Sequence, residues 1–194
     1  MVKPVWVLLA ITAPLASHAA PIIATATLTF SVTVPGFIFL RVGSGGAPVY
    51  GTSATIDSLV FEVPFDRVGS GTSVAARASD GDLGNGTVTA QAHSTVGSMQ
   101  VRSNVTGALS NGKGGTIPWS QIGVTFSTTV GSLGNANFPS NPYVLDGWSI
   151  NFANTVWRDG TWTFRYLNQA VVPPGTYGGT VAKNGRITYT ATAL

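Results

Sequence analysis

The sequence predicts an all-β fold, an immunoglobulin-like antiparallel β-sandwich of about ten strands. Three observations carry that expectation. Apolar and hydroxylated residues alternate with period two in several separate segments, the pattern of a strand with one dry and one wet face. No window places apolar residues at i, i+3, i+4 and i+7, and Glu and Lys are too few to build a polar helix face. Turn-forming Gly, Asn and Pro recur at roughly 8–12-residue spacing, as in sandwiches.

Taken in order, the chain opens with Met1-Val2-Lys3, an apolar run over residues 5–15, and Ser17-His18-Ala19 as a small-x-small cleavage signal. Residues 1–19 therefore read as a cleaved secretory signal peptide and residues 20–194 as a single domain. The apolar run falls short of the ~20 residues a spanning helix needs, so no membrane span is expected. The expected location is exported: periplasm, cell surface or extracellular space.

Residues 22–34 form the longest alternating segment. Ile22, Ala24, Ala26, Leu28, Phe30, Val32 and Val34 share one face, and Thr25, Thr27, Thr29, Ser31 and Thr33 the other. At ~3.3 Å per residue a strand of this length reaches ~43 Å. It must pair within its own sandwich or with another chain. Residues 37–42 and 56–63 are short apolar runs suited to strands buried on both sides. Val88, Ala90 and Ala92, then Met99 and Val101, predict two strands joined around His93-Ser94-Thr95. Ile122, Val124, Phe126, Thr128 and Val130 predict another strand with all five on one face. Trp148, Ile150 and Phe152, and then Trp162, Phe164 and Tyr166, mark two more apolar stripes.

The intervening turns include Gly43-Ser44-Gly45-Gly46, Gly69-Ser70-Gly71, Asn85-Gly86, Asn111-Gly112 and Pro173-Pro174-Gly175. Residues 131–147, with Pro139 and Pro142, read as a surface loop. Asn184-Gly185 predicts a tight primed hairpin, because both residues tolerate positive φ. The final strand repeats the opening pattern: Ile187, Tyr189, Ala191 and Ala193 against Thr188, Thr190 and Thr192.

Composition narrows the function. Cysteine is absent, which removes disulfides and thiolate metal sites; about 175 residues can bury a core without them. Charged residues are 9% of the chain, and the arginines are scattered rather than clustered, so nucleic acid is not an expected partner. Beyond the leader the one histidine is His93, read as a solvated turn residue; as a general base it would need Asp80 or Asp82. Neither glycine-flanked serine, Ser44 or Ser70, matches a nucleophile elbow. Asp80-Gly81-Asp82 has the spacing that opens a calcium loop but lacks the later bidentate Glu, so turn formation is the expected role. No catalytic, cofactor or metal residue is assigned, and the chain is not expected to be an enzyme. Trp157 and Tyr143 are candidate ligand-stacking residues, whereas Trp148, Trp162 and Tyr166 belong to core stripes.

The alternating residues 24–34, together with Pro174-Gly175-Thr176-Tyr177-Gly178-Gly179-Thr180-Val181 and the strand after it, resemble the two ends of bacterial exported fimbrial, or pilin-like, subunits. The closing strands are also similar to those of cell-wall-binding WxL domains. The chain departs from many chaperone–usher pilins in lacking a disulfide. The resemblance implies a sandwich missing one strand, completed by the N-terminal extension of the next subunit through β-strand addition. Ile22, Ala24, Ala26, Leu28, Phe30 and Val32 would then be the inserted face. The implied partners are like subunits or a periplasmic chaperone and usher. Two other functions remain open at this point: a self-contained carbohydrate- or cell-envelope-binding module, with a glycan as partner, and a secreted hydrolase.

Overall fold

The computed structural model describes residues 22–45, 51–131, 133, 149–153 and 156–194. The predicted leader, Tyr143 and Trp148, and nearly all of the 131–147 loop lie outside them. The chain divides into two compact units, Met1–Thr33 and Val34–Leu194. In the first, residues 22–33 carry no strand. Ile22, Leu28, Phe30 and Val32 are exposed there at 101%, 78%, 85% and 86%. The expected strand is thus not formed in this unit: an alternating ribbon without a partner strand has no ladder to satisfy its backbone.

The second unit is an all-β sandwich with ten strands among the described residues. In chain order they are β1 (Ile38–Val42), β2 (Val74–Ala75), β3 (Thr87–Ser94), β4 (Met99–Val105), β5 (Leu109–Ser110), β6 (Thr116–Ile117), β7 (Ile122–Val130), β8 (Ser149–Phe152), β9 (Val156–Tyr166) and β10 (Ile187–Ala193). All pairings are antiparallel. One sheet runs β1-β3-β9-β7, with β2 continuing the β3 side of β9; the other runs β10-β4-β8, and β5 and β6 form a small hairpin. β3 and β4, neighbours in sequence, lie in different sheets and do not pair with each other.

The core lies between the sheets. Val88, Ala90 and Ala92 from β3 and Trp162, Phe164 and Tyr166 from β9 are buried, and so are Met99, Val101 and Val105 from β4. The alternation read from sequence is therefore the inward register of each strand. Trp162 reaches across the core to Tyr189 of β10, with ring centroids 5.2 Å apart, and joins the two sheets. Trp119, also buried, donates its Nε1–H to the Gly107 carbonyl at 2.8 Å.

Four local expectations are corrected. Residues 56–63 make no strand; a single bridge pairs Phe61 with Ala76, because Val60 N–H bonds the Asp80 carboxylate instead of a ladder partner. Asn184-Gly185 is not a hairpin: residues Val181–Lys183 form a 3-10 turn that Asn184 ends at φ 55°. The Asn184 side chain is drawn to Thr106 and the Ala108 carbonyl, and the amide of Gly185 closes on Thr180. β1 is an edge strand with half-buried residues throughout, not a strand buried on both faces. In β7 an irregularity between Thr128 and Val130 lets Thr128 pair with Gly160 and Val130 with Asp159. A bulge changes which face the following residue takes, so Val130 joins the outer face and is 45% exposed.

β7 approaches β9 closely at Gly160, where an added Cβ would collide with the Ser127 carbonyl oxygen and lie 2.5 Å from the Phe126 ring. Gly160→Ala should therefore cost about 1–3 kcal/mol through overpacking. Thermal denaturation followed by circular dichroism should show the melting point falling by several degrees.

Candidate functional site

Two features of the sandwich stand out. The first is an open flank of the core. In β1, Gly43 N–H bonds Thr89 and Thr95 N–H bonds Phe37, which fixes the ladder register. The backbone groups of Ile38, Leu40 and Val42 therefore point away from β3, to an edge that pairs with no other strand among the described residues. In β10, Leu194 N–H bonds Ser98, so Ile187, Tyr189, Ala191 and Ala193 turn their backbone groups away from β4. The side chains of Ile38, Leu40, Val42, Ile187, Tyr189 and Ala191 pack on the core yet are only half-buried.

Beside them opens a groove of about 1480 Å³ whose lining includes Val88, Phe164 and Tyr166. Leu59, Phe61 and Val63 also line it, from the extended segment that failed to become a strand. Arg77 pairs with Glu62 on that segment and holds its carboxyl below the usual range. Small-ligand pockets run to ~300–1,000 Å³. This groove is larger and mostly apolar, and among the described residues the β1 and β10 edges beside it pair with no further strand.

Tyr189 stands in the wall of the groove. Among the described residues its buried hydroxyl has no hydrogen-bond partner, and neither has that of Ser103, its cross-strand neighbour. Burial pushes the Tyr189 phenol well above the usual tyrosine range.

The second feature lies on the outer face of the β1-β3-β9 sheet. Phe39, His93 and Trp157 are direct cross-strand neighbours. Their rings stack in a row, with Phe39 to His93 at 5.4 Å and His93 to Trp157 at 3.7 Å and 5° between planes. Asp159, two residues along the same face, gathers three donors. Its Oδ1 is 2.7 Å from His93 Nε2 and accepts from Gln91 Nε2 at 2.9 Å, while its Oδ2 accepts the Trp157 indole N–H at 2.9 Å.

His93 is thus not the solvated turn residue expected: it sits in β3, 8% exposed, and its carboxylate partner is Asp159 rather than Asp80 or Asp82. Sequence reasoning missed Asp159 because strand register, not spacing, brings it to His93. Asp80 and Asp82 accept the backbone N–H groups of Val60 and Thr89, and Asp82 also pairs with Arg41. They hold turns, as expected. Among the described residues no cluster of His, Asp and Glu forms a metal site, and no helix is long and apolar enough to cross a membrane.

Trp157 is 53% exposed, and Trp162 is core, as their patterns indicated. Tyr143 lies outside the described residues. The inserted-face candidates, Ile22 to Val32, are exposed and in no strand. No protein-family model matches the chain, and searches of curated proteins and of solved structures return no match.

Two measurements check these sites. Tyr189→Phe removes an unpaired buried hydroxyl and should leave stability unchanged or raise it by about 1 kcal/mol. Because the folded phenol titrates above the unfolded one, Tyr189 favours the fold fully below pH ~10 and loses that contribution as pH rises further. The phenylalanine variant should therefore lose less stability than wild type in urea titrations above that pH. Asp159→Ala leaves the Gln91, His93 and Trp157 donors without their acceptor and should cost about 1–3 kcal/mol by the same titrations.

Proposed function

We propose that the protein is a non-catalytic, exported structural subunit of a fimbria-like or cell-surface assembly, joined by β-strand addition. Residues 22–34 of one copy enter the groove of the next and pair with the free edge of β10. One observation carries this reading: an apolar, alternating ribbon and an apolar flank with unpaired strand edges occur in the same chain, each lacking what the other supplies. Alternate residues of the ribbon, Leu28 and Phe30 foremost, would fill the flank while Thr27, Thr29 and Ser31 face water. Backbone bonds along β10 would supply affinity and the side-chain alternation would supply register. The pilin-like ends of the sequence support the same reading. In keeping with a structural role, the carboxylates of Asp57, Asp80 and Asp82 are engaged in holding loops.

Purified protein lacking the leader should form multimers that resist heating in detergent. Deletion of residues 22–33 should yield monomers of the same sandwich, and a synthetic peptide of residues 22–34 should bind and stabilise them. Leu28→Asp with Phe30→Asp forfeits about 1.5–3 kcal/mol of burial per side chain and should abolish multimers. A full chain that stays monomeric, or multimers that survive the deletion, would refute the proposal.

A further inference from the structure

We propose that the outer face of the β1-β3-β9 sheet carries a binding site for a neutral pyranoside, with the free face of the Trp157 indole as its stacking platform. This goes beyond assembly and does not depend on it, since the groove lies on the other side of the sheet.

The argument starts from how the indole is held. One ring face is covered by His93 at 3.7 Å, and the N–H edge is fixed by Asp159. Phe39 stacks behind His93, so the row cannot slide away. Yet Trp157 remains 53% exposed. β7 ends its pairing with β9 at Val130 opposite Asp159, so among the described residues no strand stands opposite Trp157 on that side. Among the described residues no ring is stacked on the other face of the indole. An exposed tryptophan is ordinarily free to change rotamer; this one is locked by two contacts, which lowers the entropy lost when a ligand lands on it.

The surroundings select the ligand class. The rings stack in parallel and offer one face, whereas recognition of quaternary ammonium groups uses a cage of several rings. Arg158, the nearest guanidinium in sequence, bonds the Trp157 carbonyl and lies over the Phe152 ring at 5.5 Å, so it is not poised for a phosphate or carboxylate. On the same face stand Val130, Gln91, Asp159 and Thr161, and the one guanidinium beside Gln91, that of Arg41, is bound to Asp82 and the Gly43 carbonyl. A pyranose matches that mixture. Its C–H face packs on the electron-rich ring, made richer by the carboxylate on the indole N–H, and its hydroxyls meet the second oxygen face of Asp159 and the Gln91 amide oxygen.

The test is peptide-resolved oxidation of tryptophan by N-bromosuccinimide on the full chain, read by mass spectrometry. Buried Trp119 and Trp162 serve as internal references, being 7% and 1% exposed. The probes are methyl β-galactopyranoside, methyl β-glucopyranoside and triacetylchitotriose at tens of millimolar, with sorbitol as an acyclic control. At least one pyranoside should slow Trp157 oxidation severalfold and saturably, with a dissociation constant on the order of millimolar as suits a single stacking contact. Asp159→Ala, which removes the acceptor that holds the indole edge, should weaken that protection at least threefold. Trp157→Leu should abolish retardation on a column bearing the protecting sugar while the variant still melts in a single cooperative transition. Protection by sorbitol as well as by the sugars would overturn the site, and so would no protection by any of the three. Trp157 protection that appears on multimer formation alone, without sugar, would make it an interface between copies and would overturn the proposal equally.

Discussion

The structure turns on two strand edges that face each other across an incompletely covered core. Among the described residues β1 and β10 each end a sheet, and each turns the backbone of its core-facing residues outward rather than into a ladder. A sheet edge with unpaired N–H and C=O groups beside apolar surface is a template for another strand, and proteins that keep such an edge must cover it or use it. Here neither charge nor proline blunts β10: Ile187, Tyr189 and Ala191 line the gap. The same sheet that leaves the flank open is secured elsewhere. The contact of Trp162 with Tyr189 joins the two layers, and the close approach of β7 to Gly160 tightens its own sheet.

Asp159 plays a comparable organising part on the opposite surface. One carboxylate fixes a histidine, an amide and an indole that come from two strands, and the cross-strand register makes the three rings stack. The inner face of this sheet is thus specified by packing and the outer face by a polar hub. Strand pairing serves both, because a slip of one residue would exchange the faces.

The sheet strands were legible because their residues are committed to one face each. Val88, Ala90 and Ala92, Trp162, Phe164 and Tyr166, and Ile187, Tyr189 and Ala191 all keep the period of two that the sequence displays. Three features were not legible, for separate physical reasons. Residues 56–63 have strand composition, but Asp80 takes the Val60 amide that a ladder would need. Asn184-Gly185 has hairpin chemistry, but the Asn184 side chain bonds the chain near residue 108 and the turn closes as a 3-10 segment. The outer-face cluster depends on register across β1, β3 and β9, which no local spacing reveals. His93 and Asp159 are 66 residues apart. For the opening ribbon, the alternation describes what the residues can do and not which sheet receives them.

Hydrogen–deuterium exchange along β10 tests the central claim most directly, because its two sets of amides point in opposite directions. Thr188, Thr190 and Thr192 face β4 and should exchange slowly in any folded form. Ile187, Tyr189 and Ala191 should be protected in the full chain at assembling concentration and exchange rapidly once residues 22–33 are removed. Rapid exchange of those three amides in both forms, or equal protection in both, would contradict the account.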